Sequence, residues 1–253
     1  MGSSKVEQYI DENQLYWFKI NRPDKRNAID FDVMNELEHA LTVVKEQSSV
    51  RAFVITGKGN QSFCSGGDLS IFHALYSKEE ALGMLEKMGR ILYSLMTLPV
   101  PTIAIINGTA IGGGCEIAAA CDERWAFSSS KMGFVQGKLG ITTGWGGASM
   151  LMEKLSHANA LKMLISAKIY SASEAKELGF IQRIVLEDEL DEWKKVINVA
   201  SPVIRSYKKA FIRKWEQSNL KERMLAEIEQ CAILWESEEH HEAVKMFLEA
   251  KKR

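Results

Sequence analysis

The chain has no apolar run of the roughly 18–20 residues that a membrane-spanning helix requires. Its longest apolar stretches, near residues 101–106 and 117–121, are far shorter. The opening Met1-Gly2-Ser3-Ser4-Lys5 lacks the apolar core of a secretory signal, and Ser3-Ser4-Lys5-Val6 misses the hydroxyl position of a myristoylation start. Net charge is also lacking: 32 Lys+Arg face 33 Asp+Glu, so nothing points to nucleic acid or an anionic membrane. Cysteine is scarce. Cys64, Cys115, Cys121 and Cys231 form no CxxC pair and none lies near His at zinc spacing, so the reading is reduced, buried thiols, no metal site and a cytoplasmic protein. Internal repeats and low-complexity segments are absent as well.

What is present fits an ordinary globular enzyme. Hydrophobic residues make up 46% of 253, enough for one sizeable core with or without a helical appendage. Two short alternating stretches, 6–10 and 15–20, flank Asp11-Glu12-Asn13 and read as a hairpin. Asp30 is placed to cap a helix over about 31–47, with Val33, Leu37, Leu41 and Val44 on one face. Strands are expected at about 51–56, 102–106, 124–128 and 181–186. Helices are expected at about 78–98, 115–121, 147–155, 158–166 and 174–178, the last capped by Ser173. From Asp188 onward the pattern is almost wholly helical, with helices over 220–235 and 238–250. The expectation is an α/β core over 1–187, built on a partly parallel sheet, and a helical region over 188–253.

Two glycine-bearing segments carry the chemistry. In Asn107-Gly108-Thr109-Ala110-Ile111-Gly112-Gly113-Gly114-Cys115-Glu116 a buried strand feeds a glycine run that opens a helix. The first N–H groups of a helix have no internal partner, and the dipole favours negative charge there. Glycines remove the Cβ atoms that would hold a ligand off the backbone, so the segment reads as an anion site, with a plain packing turn as the alternative. It matches neither GxGxxG nor GxxxxGK[ST], so a nucleotide loop is not indicated. Ser62-Phe63-Cys64-Ser65-Gly66-Gly67-Asp68-Leu69 is a second source of backbone N–H, or a plain helix cap. Two donors converging on one oxygen would form an oxyanion hole, each worth roughly 3–4 kcal/mol of barrier.

These segments resemble the crotonase (enoyl-CoA hydratase/isomerase) superfamily. Phe63-Cys64-Ser65-Gly66-Gly67-Asp68-Leu69 is similar to its FxxGxD[LI] element. Asn107 to Glu116, followed by Ala120-Cys121-Asp122, is similar to its NGxAxGGGxE…CD element. Asn21-Arg22-Pro23 with Asn27-Ala28 resembles its first loop, and Ser171-Ala172-Ser173-Glu174-Ala175 with Leu178-Gly179-Phe180-Ile181 resembles a later signature. The likeness spans nearly the whole chain. It implies a ββα spiral core, an acyl-CoA thioester substrate in fatty acid metabolism, and no separate cofactor, because CoA is part of the substrate. It also implies a homotrimer or dimer of trimers built through the helical tail.

Residue by residue, the resemblance implies an oxyanion hole from Gly67 and Gly113, with Glu116 transferring a proton. It implies substrate contacts from Lys25, Arg26, Ala28, Ser65, Asp68 and Leu69, while Lys25 and Arg26 read equally as solvated turn residues. The departure lies twenty residues past Glu116, where hydratases of the family carry a second glutamate and this chain has Gln136. Glutamine holds water but exchanges no proton at neutral pH. Ordinary hydration, which needs an acid and a base, is therefore in doubt. Residues 134–141 with Gly144-Trp145-Gly146-Gly147 resemble the ethylmalonyl-CoA decarboxylase branch more than the hydratases. Lys138 would share a face with Gln136 if the segment is extended, and reads either as a substrate contact or as a surface lysine. Trp145 is expected to help set pocket depth. His73 is weighed as a pocket neighbour, His240-His241 are expected to face solvent, and Trp193, Trp215 and Trp235 are expected in the core or a subunit interface. The leading reading is decarboxylation of a branched malonyl-type thioester, with enoyl-CoA hydration or isomerisation next. A non-catalytic acyl-CoA- or RNA-binding scaffold is the rival from another class.

Overall fold

The structure is a computed structural model that describes residues 4–186 and 199–250. The chain opens with the expected hairpin, β1 (Val6–Ile10) antiparallel to β2 (Leu15–Ile20). Asp11 shapes its turn by accepting from the N–H groups of Asn13 and Leu15, at 2.8 and 3.0 Å. Helix α1 (Phe31–Glu46) begins at Asp30, whose side chain accepts from Val33 N. Then follow β3 (Ala52–Gly57), β4 (Ser62–Cys64), α2 (Leu69–Phe72) and α3 (Lys78–Met96). Helix α3 starts at a reciprocal Ser77/Glu80 cap. The pattern repeats as β5 (Thr102–Ile106), β6 (Thr109–Ile111) and α4 (Gly113–Ala120), and again as β7 (Glu123–Phe127), β8 (Lys131–Gly133) and α5 (Gly147–Met152). Next come α6 (His157–Ile165), β9 (Tyr170–Ser171), α7 (Ala172–Glu177) and β10 (Arg183–Val185). The described chain ends in α8 (Ser201–Gln217), α9 (Leu220–Trp235) and α10 (Glu238–Ala250).

Each ββα turn hands the chain from one sheet to another. The larger sheet runs β1-β2-β3-β5-β7-β10 and is parallel beyond the first hairpin; the smaller runs β4-β6-β8-β9. Strands β3 and β5 are buried at every position, as a parallel sheet covered on both faces requires. Alternate residues serve opposite faces. Phe53, Ile55, Ala104 and Ile106 join the main core, while Ala52, Val54, Ile103 and Ile105 join a smaller cluster around Trp125. Ile228, Cys231 and Trp235 of α9 lie in the main core, and α9 packs along α3. All four cysteines are buried and free. Among the described residues no helix is long and apolar enough to cross a membrane.

The large-sheet strands and the C-terminal helices match the sequence reading closely. The smaller sheet does not appear in it, because its strands span two or three residues and show no alternation. The spiral is thus a repeat of backbone path without a repeat of residues. The cap of α7 is Ser171, not Ser173: Ser171 and Glu174 satisfy each other's backbone N–H groups, and Ser173 falls inside the helix. Helix α4 begins at Gly113, two residues earlier than expected. Trp215 and Trp235 are buried; Trp193 lies outside the described residues.

Asn107 ties the site to the sheet. Its Oδ1 accepts from Thr56 Oγ1 and Gly57 N at 3.2 and 3.1 Å, and its Nδ2 donates to the carbonyls of Gly57 and Gly59. The end of β3 and the β5–β6 corner are thereby fixed together just before the glycine run. Leucine at 107 fills the space but satisfies none of these groups, and each orphaned buried group costs about 1–3 kcal/mol. Asn107→Leu is expected to destabilise the chain by roughly 2–4 kcal/mol, seen as a lower urea midpoint with an unchanged slope.

Candidate functional site

The site forms where two ββα turns meet. Gly66 has φ +90°, a left-handed conformation open to glycine, and a methyl group there would come within 3.1 Å of Gly113 N. A methyl group at Gly114 would overlap the carbonyl oxygen of Cys64. Glycine at these positions lets β4 and its following loop lie directly against the start of α4. Gly67 and Gly113 consequently line one cavity of about 480 Å³. Among the described residues neither of their N–H groups has a hydrogen-bond partner. The Trp145 ring covers Gly113 and lies 3.6 Å from where a Cβ on Gly67 would sit, so both glycines face one aromatic wall.

The cavity walls are largely apolar, with Phe72, Leu85, Ile111 and Trp235 among them, and Glu116 is their one carboxylate among the described residues. Glu116 is 2% exposed. Its Oε1 accepts from Trp145 N and Gly147 N, both at 2.9 Å, and its Oε2 accepts from Gln136 Nε2 at 2.9 Å. Burial raises its pKa most, and the negative charge of Glu227 adds to that. The three donors oppose both, and the balance stands at about 7. Glu116 therefore exchanges a proton near neutrality, as an acid or base in this cavity must.

Glu227 escaped sequence reasoning. It sits in α9 and accepts from Ala148 N at 2.9 Å and Ser149 N at 2.7 Å. It thereby holds the turn that offers Trp145 N and Gly147 N to Glu116. No motif marks it; one carboxylate in an amphipathic helix looks like any solvated residue.

A second cavity, of about 820 Å³, abuts the first and shares Ser65, Gly67, Leu69 and Lys138 with it. Lys25, Arg26, Ala28 and Asp68 line it too. The six substrate-contact positions carried over by resemblance border the joined cavities, Lys25, Arg26, Ala28 and Asp68 on the outer and Ser65 and Leu69 on both, while Gln136 and Trp145 line the inner. The loop 22–28 is rigidly anchored. Buried Asn27 donates to the Ser62 carbonyl at 2.7 Å, and Arg22 donates to Asp68 Oδ2 at 2.7 Å and to the Ala28 carbonyl. The Asp68 carboxylate is committed to Arg22 and Ser70, while Lys25 and Arg26 are exposed.

Three expectations change. Residues 136–139 form a short 3-10 helix (Gln136–Leu139), not an extended segment. The left-handed Gly140 closes that turn, so Gln136 is buried while Lys138 is exposed at the junction of the cavities. His240 is buried, not solvated: its Nδ1 meets the Leu139 carbonyl at 2.7 Å and its ring packs on Trp235. The acidic neighbours that suggested solvent lie on the other faces of α10. His73 is exposed and borders a different depression, near Tyr76 and His241.

The family profile of enoyl-CoA hydratase/isomerase matches residues 11–253. The chain is 32% identical to the crotonyl-CoA hydratase of Syntrophomonas wolfei subsp. wolfei, covering 95% of this chain and 94% of that protein. It is 34% identical to the ethylmalonyl-CoA decarboxylase of Xenopus tropicalis, covering 88% of this chain and 77% of that one. A crystal structure of an enoyl-CoA hydratase from Bacillus halodurans superposes with a TM-score of 0.87 at 25% identity, over 96% of this chain and all of the other.

Glu227→Gln removes the like charge that helps raise Glu116. The carbon-13 carboxyl titration of Glu116 is expected to move to a midpoint below about 7. An unchanged or higher midpoint would show that the charge at 227 does not act on Glu116.

Proposed function

Because this chain belongs to the enoyl-CoA hydratase/isomerase family, we propose that it stabilises the enolate of an acyl-CoA thioester and that its reaction is decarboxylation of a branched malonyl-type thioester. The observation that carries this reading is the Gln136–Glu116 hydrogen bond, which leaves one ionisable carboxylate in the inner cavity. The CoA portion lies along the outer cavity, with Lys25 and Arg26 toward its phosphates and Ala28, Ser65, Asp68 and Leu69 framing the entry. The acyl group enters the apolar inner cavity, against Trp145.

In the reaction the bond between the α-carbon and the carboxylate breaks, and its electrons pass to the thioester as an enolate while CO2 leaves. The N–H groups of Gly67 and Gly113 take the developing charge on the thioester oxygen. Fixed donors of this kind need no reorganisation as the charge appears. Glu116, protonated, delivers its proton to the α-carbon and is reprotonated from solvent. No base is needed, so glutamine at 136 is no handicap. Apolar walls favour the step further, since they solvate a carboxylate poorly and CO2 well. Assembly into a trimer or dimer of trimers would use the C-terminal helices, and Val203, Tyr207 and Phe211 stand exposed along one side of α8.

The second reading is hydration of an enoyl-CoA, favoured by the near full-length likeness to a crotonyl-CoA hydratase. The two readings need opposite protonation states of Glu116. Decarboxylation uses the acid, so its kcat/KM should fall as pH rises through about 7. Hydration by Glu116 as base should rise over the same interval. Both substrate types are offered to purified protein, with CO2 release and loss of enoyl absorbance followed across pH. Glu116→Gln is expected to cut turnover about 10²–10⁴-fold. Fast hydration that survives Gln136→Ala and is lost in Glu116→Ala would replace the decarboxylase reading.

A further inference from the structure

Gln136 is 9% exposed, and its two amide ends are treated unequally. Nε2 donates to Glu116, whereas Oε1 is buried with no hydrogen-bond partner among the described residues. A buried acceptor without a donor is uncommon and unfavourable, and at a ligand cavity it marks where a donor belongs. Gly112 stands beside the amide: a methyl group there would sit in contact with it, 3.8 Å from the Gln136 Cδ, so glycine leaves room for the amide to turn.

The two ends of an amide differ little in shape, and rotation about the last torsion exchanges them. With Glu116 ionised, Nε2 must face the carboxylate. With Glu116 protonated, its O–H donates to Oε1 once the amide has turned over. The orphaned acceptor is then satisfied, and Nε2 is released toward the substrate. The free end of the amide therefore repels an anion in one protonation state and binds it in the other.

We infer that Gln136 makes the inner cavity selective for an acyl group carrying a carboxylate, which enters together with one proton taken up by Glu116. This rests on the decarboxylase reading and names the group that fixes its substrate class. Lys138 stands exposed at the junction of the two cavities, with no ion-pair partner among the described residues, and draws an anion toward this point. The other ionisable groups facing Glu116 do not supply the proton. Cys115 on its own helix and Cys231 on α9 are both held as thiols by burial, Cys231 pushed up to about 12. The Glu227 carboxylate accepts hydrogen bonds from Ala148 N and Ser149 N.

The test uses two unreactive CoA thioethers, one bearing a carboxylate on the carbon next to the acyl position and one bearing an alkyl group there. Calorimetry of the wild-type chain at pH 8, in buffers of different ionisation enthalpy, counts the protons bound. The carboxylated ligand is expected to take up about one proton, and its affinity to fall about tenfold per pH unit above 7. The alkyl ligand is expected to take up none. Gln136→Leu should weaken the carboxylated ligand about 10- to 100-fold relative to the alkyl ligand, the loss of one hydrogen bond to a charged group. No proton uptake in the wild type overturns the inference without recourse to any variant, and so does a Gln136→Leu chain that keeps its preference for the carboxylate. CO2 release from a malonyl-type thioester is scored separately. Its absence, with proton-linked carboxylate binding intact, defeats the decarboxylase reading and leaves this recognition standing.

Discussion

A carboxylate taken out of water must be given either donors or a proton, and Glu116 is held between these two outcomes. Three N–H donors favour its charge; burial and Glu227 oppose it. Much of the architecture serves this balance. The glycine run starts α4 deep in the core, so its first-turn carboxylate is buried at the cavity wall and not spread on the surface. Helix α9 returns from the far end of the chain to clamp the turn that donates to it. The 3-10 helix supplies the third donor from the opposite side. These contacts link segments distant in sequence, so the acid exists only in the finished fold.

The two N–H groups assigned to the thioester oxygen follow from a separate constraint, the approach of two backbones closer than any side chain permits. Gly66 and Gly114 are required by that approach, whereas Gly67 and Gly113 benefit from it. A preorganised site needs both kinds of residue. One kind brings the segments together; the other presents unpaired donors to what lies between them.

Most of this was legible in the sequence where the chemistry is local. A buried strand, a glycine run and a following glutamate announce a helix that starts on glycine, and Asp30 announces α1 as its cap. The departure at Gln136 was visible by counting, but its bond to Glu116 was not, because the turn of residues 136–139 depends on a left-handed glycine. Glu227 and His240 were illegible for a common reason. Nothing beside either residue in the sequence points to its partners, which lie many residues away. The small sheet was missed because strands of two or three residues carry too few positions to show a period.

Trp145 serves the site twice through different parts of itself. Its ring forms the wall over Gly113, and its main-chain N–H supports the Glu116 carboxylate. Side chains mutate and main-chain donors do not. Replacements other than proline at this position can therefore reshape the inner cavity while the donor stays in place, so, on the proposed reading, chain-length preference can drift through evolution, or be redesigned, with the Glu116 carboxyl supported as before.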